Sequence, residues 1–262
     1  MSTANDELLL ATDGHVLTMT LNRPERSNAL SDSLMRRLVE ELIEAAENPK
    51  VWVIVLTGAG DRAFCGGVDM KDMNASDRAG QRYRPPMQRV DRNPFDLLTE
   101  TFKPTIAALN GHAVAGGFEL ALACDIRIAA EGAKLGLPEA KRGMGANFGS
   151  VVLPKMLPMG IALELLFVGD YISAAEAARW GLVNHVVPAD QVRSTAAELA
   201  QKIAANAPVS IRRMKEMAYK SQTLPLPAAL RLDVGPNPYL SEDRQEGIAA
   251  FLEGRAPQWK GR

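Results

Sequence analysis

The sequence predicts an α/β fold, because short apolar runs typical of strands alternate with helical segments along most of the chain. The runs "VWVIVLTGAG" and "PTIAALNG" are of the buried-strand type, and "SDSLMRRLVEELIEAAENP" has apolar residues at helical spacing. The strand signal ends near Asp190, and the following segments are all helical. We therefore expect a core over residues 1–189 and a helical region over residues 190–262. A chain of 262 residues is long enough to bury a sizeable core.

The first elements are a hairpin and a helix. Two alternating apolar runs in "LLLATDGHVLTMTLNRP" flank Asp13-Gly14, a pair that favours a tight turn. The next segment places Leu34, Leu38 and Leu42 on one helical face behind Ser/Asp caps and ends before Pro49.

The later elements follow the same alternation. Further strands are expected in "VWVIVLTGAG", "PTIAALNG", "DIRIAAEGAKLGL" and "VNHVVP", with helical segments between them. "QRYRPPMQRVDRNPFDLL" mixes Arg, Pro and polar residues without a period, which predicts a mobile surface loop. After Asp190, helices are expected in "ADQVRSTAAELAQKIAAN", "PVSIRRMKEMAYK" and "SEDRQEGIAAFLEG".

Composition argues against several classes of function. The net charge is −1, which does not favour nucleic acid or an anionic membrane as a partner. The N-terminus has no basic stretch followed by an apolar run, and no window offers eighteen uncharged apolar residues, so we expect a soluble cytoplasmic protein. The two cysteines and three histidines are scattered singly, which predicts neither a metal site nor a disulfide framework.

Two glycine turns each follow a predicted strand. In "AVAGGFELALACD", Gly116 and Gly117 open an apolar helix, whose free N–H groups can cradle an anion; a plain turn is the alternative. In "AFCGGVDMKD", a second turn offers further backbone donors up to Val68. One N–H from each turn, aimed at one point, would form an oxyanion hole. Cys65 could instead be a nucleophile, although no base lies at a recognisable spacing. Neither turn fits G-x-G-x-x-G, and "GMGANFG" has its third glycine one place late, so we reject a dinucleotide site.

Two carboxylates accompany these turns. Glu119 lies within the apolar helix, where it either points to solvent or serves a function, because a buried carboxylate is costly. Glu139 follows Pro138 in "LGLPEAKRG", where it could also be a helix N-terminal residue stabilised by the dipole. If both reach one dry cavity, one would hold its proton near neutrality, which gives an acid and a base.

These segments, in this order, resemble the crotonase family, the enoyl-CoA hydratase/isomerase group. The resemblance spans residues 22 to 262 and rests on "RPERSNALS", "GAGDRAFCGGVDMKDM", "KPTIAALNGHAVAGGFELALACDIRIAA", "LGLPEAKRGMG", "ISAAEAARWGLVNHVVP" and "SEDRQEGIAAFLEGRAPQWKGR". It implies a crotonase-like spiral of repeated β-β-α units with a C-terminal helical trimerisation region, assembled as a homotrimer or a dimer of trimers.

The resemblance also implies roles for individual residues. Val68 and Gly116 match the two N–H donors to the thioester carbonyl, and Glu119 and Glu139 match the two catalytic glutamates. Residues that would approach the coenzyme A portion are Arg26, Ala29, Ala63, Gly66 and Lys71, with Trp259 and Lys260 from a neighbouring subunit's tail. Arg26 and Lys71 could equally be ordinary surface cations.

The implied reaction is hydration of a 2-enoyl-CoA, with Glu119 as base and Glu139 as acid. This reaction needs no metal or redox cofactor. Coenzyme A is part of the substrate. Where hydratases commonly have a Pro-Gly-x-Gly-Gly-Thr-like loop, this chain has "GMGANFGS", and Asn147 and Phe148 are expected to make that wall of the acyl pocket bulkier. The stretch from about Asp77 to Asp96 is expected to line the acyl end. A Δ3,Δ2-enoyl-CoA isomerase and a non-catalytic CoA- or RNA-binding protein are the alternatives.

Overall fold

The computed structural model describes residues 6–80 and 91–262, apart from the side chain of Ser76. Its strands are β1 (Leu8–Asp13), β2 (Val16–Leu21), β3 (Val53–Gly58), β4 (Ala63–Cys65), β5 (Thr105–Leu109), β6 (His112–Val114), β7 (Ile126–Ala130), β8 (Lys134–Gly136), β9 (Ile172–Ser173) and β10 (His185–Val187). Its helices are α1 (Asp32–Glu47), α2 (Met70–Arg78), α3 (Pro94–Glu100), α4 (Gly116–Ala123), α5 (Asn147–Met156), α6 (Met159–Val168), α7 (Ala174–Arg179), α8 (Val192–Ala204), α9 (Pro208–Lys220), α10 (Leu226–Ala229) and α11 (Glu242–Glu253).

The strands form two sheets. One has the order β1-β2-β3-β5-β7-β10, antiparallel between β1 and β2 and parallel elsewhere. The other has the order β4-β6-β8-β9, parallel except between β8 and β9. Successive turns of chain therefore place one strand in each sheet and then a helix, as in β5-β6-α4. This repeated β-β-α turn is the predicted spiral, and it confirms the fold class.

Local sequence explains the elements that were predicted. Gly14 takes φ +56° in the turn between β1 and β2. The Ser31 side chain caps α1 by accepting the N–H of Leu34 at 3.1 Å. All six residues of β3 are buried, because helices or the other sheet cover both of its faces.

One feature differs from the sequence-based expectation. The last five residues of the expected loop, 94–98, belong to α3 (Pro94–Glu100), which buries Phe95, Leu97 and Leu98 and has Asn93 as its N-cap. The Arg- and Pro-rich sequence before this helix hid its short apolar face. Residues 81–90 of the expected loop lie outside the described residues.

The helical region after residue 190 begins against the sheet. Helix α8 packs on β3, β5 and β7 and buries Val192, Ala196 and Ala200. Helices α9 and α11 follow as expected. The chain after residue 190 is therefore helical, and its first helix, α8, covers the core. A domain boundary at residue 190 stays a prediction. In the described residues, no helix has the length and apolar character to cross a membrane.

Candidate active site

The two glycine turns meet at one edge of the second sheet. They follow β4 and β6, which are parallel neighbours, so both strands end at the same edge. Gly67 takes φ +90°, and a Cβ there would lie 2.9 Å from the Cβ of Ala115. A Cβ on Gly117 would lie 2.2 Å from the carbonyl oxygen of Cys65. The two backbones therefore touch where only glycine fits.

Two backbone N–H groups are available at this contact. The N–H of Leu30 donates to Gly67 O (2.8 Å) and that of Asp69 donates to Leu30 O (3.1 Å), so this bridge leaves the Val68 N–H on the opposite side. Gly116 is the first residue of α4, where an N–H has no acceptor within the helix. The sites are adjacent, since a Cβ on Gly116 would lie 3.8 Å from Cγ2 of Val68.

Glu119 points inward from α4 and is 7% exposed. Its Oε1 accepts the N–H of Gly149 at 2.8 Å. Burial, with a smaller contribution from the nearby charge of Glu139, raises the pKa of Glu119 to about 7 against the lowering effect of the Gly149 N–H. This carboxyl is therefore poised to exchange a proton near neutral pH.

Glu139 also faces this cavity. It lies in the first turn of the 3-10 helix Pro138–Arg142, as a helix N-terminal residue would, yet it is only 7% exposed. Its Oε2 has no hydrogen-bond partner among residues 6–80 and 91–262. Burial raises the pKa of Glu139, while the charge of Arg142 partly opposes this effect. A buried carboxylate oxygen without a partner is suited to a bound water or substrate.

A cavity of about 370 Å³ brings these groups together. Its lining contains Val68, Gly116, Glu119, Glu139 and Asn147. The rest is mainly apolar: Leu30, Met35, Met70, Met73, Phe95, Val114, Ala115, Pro138 and Met144, with Gly66, Gly145 and Arg142. Two carboxyls and two N–H donors in an apolar enclosure can bind a polarised carbonyl and move protons beside it.

The two residues expected to make one wall of the acyl pocket bulkier occupy different positions. Asn147 lines the cavity, whereas Phe148 is absent from its lining and packs on Phe95, with ring centroids 5.6 Å apart. Of the stretch from about Asp77 to Asp96, residues 81–90 lie outside the described residues. The described lining residues nearest in sequence to that part are Met73 on α2 and Phe95 on α3.

A second cavity of about 390 Å³ adjoins the first and shares five lining residues with it: Gly66, Val68, Met70, Val114 and Arg142. Apart from the two tail residues, every residue expected to approach coenzyme A lines this second cavity: Arg26, Ala29, Ala63, Gly66 and Lys71. Arg62 and His112 add further basic groups. The cationic lining suits a phosphate-bearing ligand.

Trp259 and Lys260 lie away from both cavities of their own chain. The indole Nε1 of Trp259 donates to Ala205 O at 2.8 Å, and Lys260 pairs with Glu242 at 3.0 Å. Their expected contact with a neighbouring subunit's ligand stays a prediction.

Cys65 is unsuited to the nucleophilic role considered for it. It is fully buried, and burial raises the pKa of its thiol to about 12, so the thiolate is scarce at neutral pH. Sequence reasoning missed two other participants, the Gly149 N–H and Arg142. The only sequence signal for Arg142 was its position three residues after Glu139.

Comparison with known proteins agrees with this geometry. Residues 11–262 match the family model described as enoyl-CoA hydratase/isomerase. The chain is 38% identical to carnitinyl-CoA dehydratase of Proteus mirabilis (98% of this chain, 100% of the relative). It is 39% identical to (E)-benzylidenesuccinyl-CoA hydratase of Thauera aromatica (96% and 98%). Among solved structures, it resembles an enoyl-CoA hydratase from Bacillus anthracis with a TM-score of 0.88 at 35% identity, covering 98% of this chain and 100% of that one.

Proposed function

Because the chain belongs to the enoyl-CoA hydratase/isomerase family, we propose that it reversibly adds water to a 2-enoyl-CoA thioester to give a 3-hydroxyacyl-CoA. The observation that carries this proposal is the convergence of Glu119, Glu139 and the N–H groups of Val68 and Gly116 on one cavity. A family relationship implies an acyl-CoA thioester and a hydro-lyase type of reaction. The four groups favour hydration in particular.

The two N–H groups stabilise the thioester oxygen. As water adds to the β-carbon, electrons move to the carbonyl oxygen and an enolate-like state forms. The N–H groups of Val68 and Gly116 donate to that oxygen, and the positive end of the α4 dipole adds to their effect. Losing one such donor costs about 3 kcal/mol of transition-state stabilisation.

The two glutamates move the protons. Glu119 takes a proton from the water whose oxygen bonds to the β-carbon, and Glu139 gives a proton to the α-carbon. One proton is taken and one is given, which leaves Glu119 protonated and Glu139 ionised, so a proton must pass from Glu119 to Glu139 through solvent before the next turnover. Keeping both carboxyls on the cavity favours hydration over double-bond isomerisation, which needs only one.

The second cavity would hold the coenzyme A portion. Arg26 and Lys71 supply positive charge for its phosphates. Gly66 has no side chain, so the ligand can pass close to the protein backbone there. The ligand would enter the first cavity beside Val68, which lines both. The names of the relatives indicate acyl groups as different as carnitinyl and benzylidenesuccinyl, so the test uses a panel of acyl groups.

The test is loss of the enoyl-thioester absorbance with crotonyl-CoA and a panel of longer, branched and aromatic 2-enoyl-CoAs. Glu119→Gln and Glu139→Gln are each expected to lower turnover by about 10²–10⁴-fold while the fold persists. Glu131→Gln, the same change at an exposed position between β7 and β8, is the matched control. Near-normal turnover in either cavity variant would refute its assigned role. If no member of the panel loses its band, 3-enoyl-CoAs should be supplied, and a gain of the 2-enoyl band would identify an isomerase instead.

A further inference from the structure

Arg142 lines the candidate active site but has no role in the proposed reaction. It is the last residue of the 3-10 helix Pro138–Arg142, in which residues three apart share a face, so it projects on the same side as Glu139. It is also one of the residues that line both cavities. A ligand that spans the two cavities must pass its guanidinium.

The guanidinium is largely free. Its one hydrogen bond is a long one, from Nη1 to Pro138 O at 3.3 Å, and it forms no ion pair within residues 6–80 and 91–262. Burial raises the pKa of Glu139 and the charge of Arg142 lowers it in part, but within the described residues Arg142 forms no hydrogen bond or ion pair with this carboxyl, whose Oε2 has no partner there. Most of the five N–H donors of Arg142 are therefore available to a ligand.

The surroundings favour an anion that belongs to the acyl group. The first cavity has mainly apolar walls, and Arg142, which is itself exposed to solvent, is the only basic residue in its described lining. The phosphates of coenzyme A have other cations, since Arg26, Arg62 and Lys71 line the second cavity. A guanidinium fork matches a carboxylate in two parallel hydrogen bonds.

We propose that Arg142 determines acyl specificity by binding a carboxylate carried on the acyl group of the thioester, and that it disfavours a cationic acyl group. This inference rests on the proposed function, because it takes the cavity with Glu119 and Glu139 to be the acyl site.

The test measures binding rather than turnover and uses saturated thioesters that cannot be hydrated. Succinyl-CoA and glutaryl-CoA carry a carboxylate, and butyryl-CoA and valeryl-CoA are neutral partners of the same chain lengths. Titration calorimetry should show that Arg142→Met weakens at least one carboxylated thioester by about tenfold or more, and changes its neutral partner by less than about twofold. Arg142→Lys should keep part of this preference, since it keeps the charge but not the fork. The control is Lys141→Met, because Lys141 neighbours Arg142 but pairs with Asp170 and lines neither cavity.

The outcomes separate the possible contacts. Equal weakening of all four thioesters by Arg142→Met would overturn the proposal and place the guanidinium on coenzyme A. Unchanged binding of all four would overturn it as well. If the wild type binds none of them, the acyl-CoA site fails and this inference fails with it. If the carboxylate preference holds but no enoyl-CoA is hydrated, only the proposed reaction is wrong.

Discussion

Ionising Glu119 costs free energy, because its carboxylate lies in a largely apolar wall. Its pKa is about 7 in the fold, against 4.5 for the free side chain. Between these values the folded state binds more protons than the unfolded chain, so the free energy of unfolding falls as pH rises. The full difference corresponds to about 3 kcal/mol.

Replacing Glu119 with Gln should remove this cost. The amide oxygen can still accept the Gly149 N–H, so the fold keeps its contact. Urea unfolding should show that the advantage of Glu119→Gln over the wild type is about 2 kcal/mol larger at pH 8 than at pH 5. Glu131→Gln, at an exposed site, is the control. An advantage independent of pH would contradict a buried, proton-holding Glu119.

The pKa of Glu119 also predicts how activity depends on pH. If Glu119 is the base, it must be ionised before it can take a proton from water, and burial places its pKa at about 7. The value of kcat/KM should therefore fall on the acid side with a midpoint near pH 7. A profile that is flat down to pH 5 would reject Glu119 as the base.

At the scale of elements, the start of α4 depends on two glycines with different surroundings. A Cβ on Gly117 would lie 2.2 Å from the Cys65 carbonyl oxygen, whereas one on Gly116 would meet nothing nearer than 3.8 Å. Gly117→Ala should therefore force the two turns apart, destabilise the fold by about 3 kcal/mol and abolish turnover. Gly116→Ala should stay folded, because its Cβ meets no close protein atom.

These neighbouring substitutions test the contact between the turns directly. Urea unfolding and the enoyl-thioester assay, applied to both variants, measure the two effects. Equal tolerance of the two substitutions would mean that the turns are ordinary and not in backbone contact. The sequence alone left a plain turn open, because "GG" does not show which glycine faces another chain segment.

Sequence patterns predicted most of the elements and the pair of glutamates, since apolar periodicity and strand–turn–helix order are local properties. The partners of those residues were harder to predict. The Gly149 N–H reaches Glu119 across 30 residues, a contact without any local pattern. Phe148 and Asn147 were assigned to one wall, yet successive helical residues differ by about 100° in direction, so only Asn147 lines the cavity.

At the scale of the whole molecule, the C-terminal segment leaves large apolar side chains uncovered. Phe251 and Leu252 on α11 are 85% and 77% exposed, and Leu240 just before this helix is 85% exposed. Side chains of this size on neighbouring positions are typical of a protein interface. With the family resemblance, they support the proposal of a homotrimer or a dimer of trimers, in which Trp259 and Lys260 could approach a neighbouring subunit's ligand.

This assembly predicts a specific effect of charge at the exposed surface. Phe251→Asp should shift the protein to a lower mass in size-exclusion chromatography with light scattering, because a buried carboxylate without a partner opposes association. Gln191→Asp is the matched control, since it adds the same charge at an exposed position outside α11. If the tail completes the coenzyme A site, Phe251→Asp should also raise KM more than it lowers kcat. A wild-type monomer, or an unchanged mass in Phe251→Asp, would remove this surface from the interface and leave each chain's two cavities to bind the thioester alone.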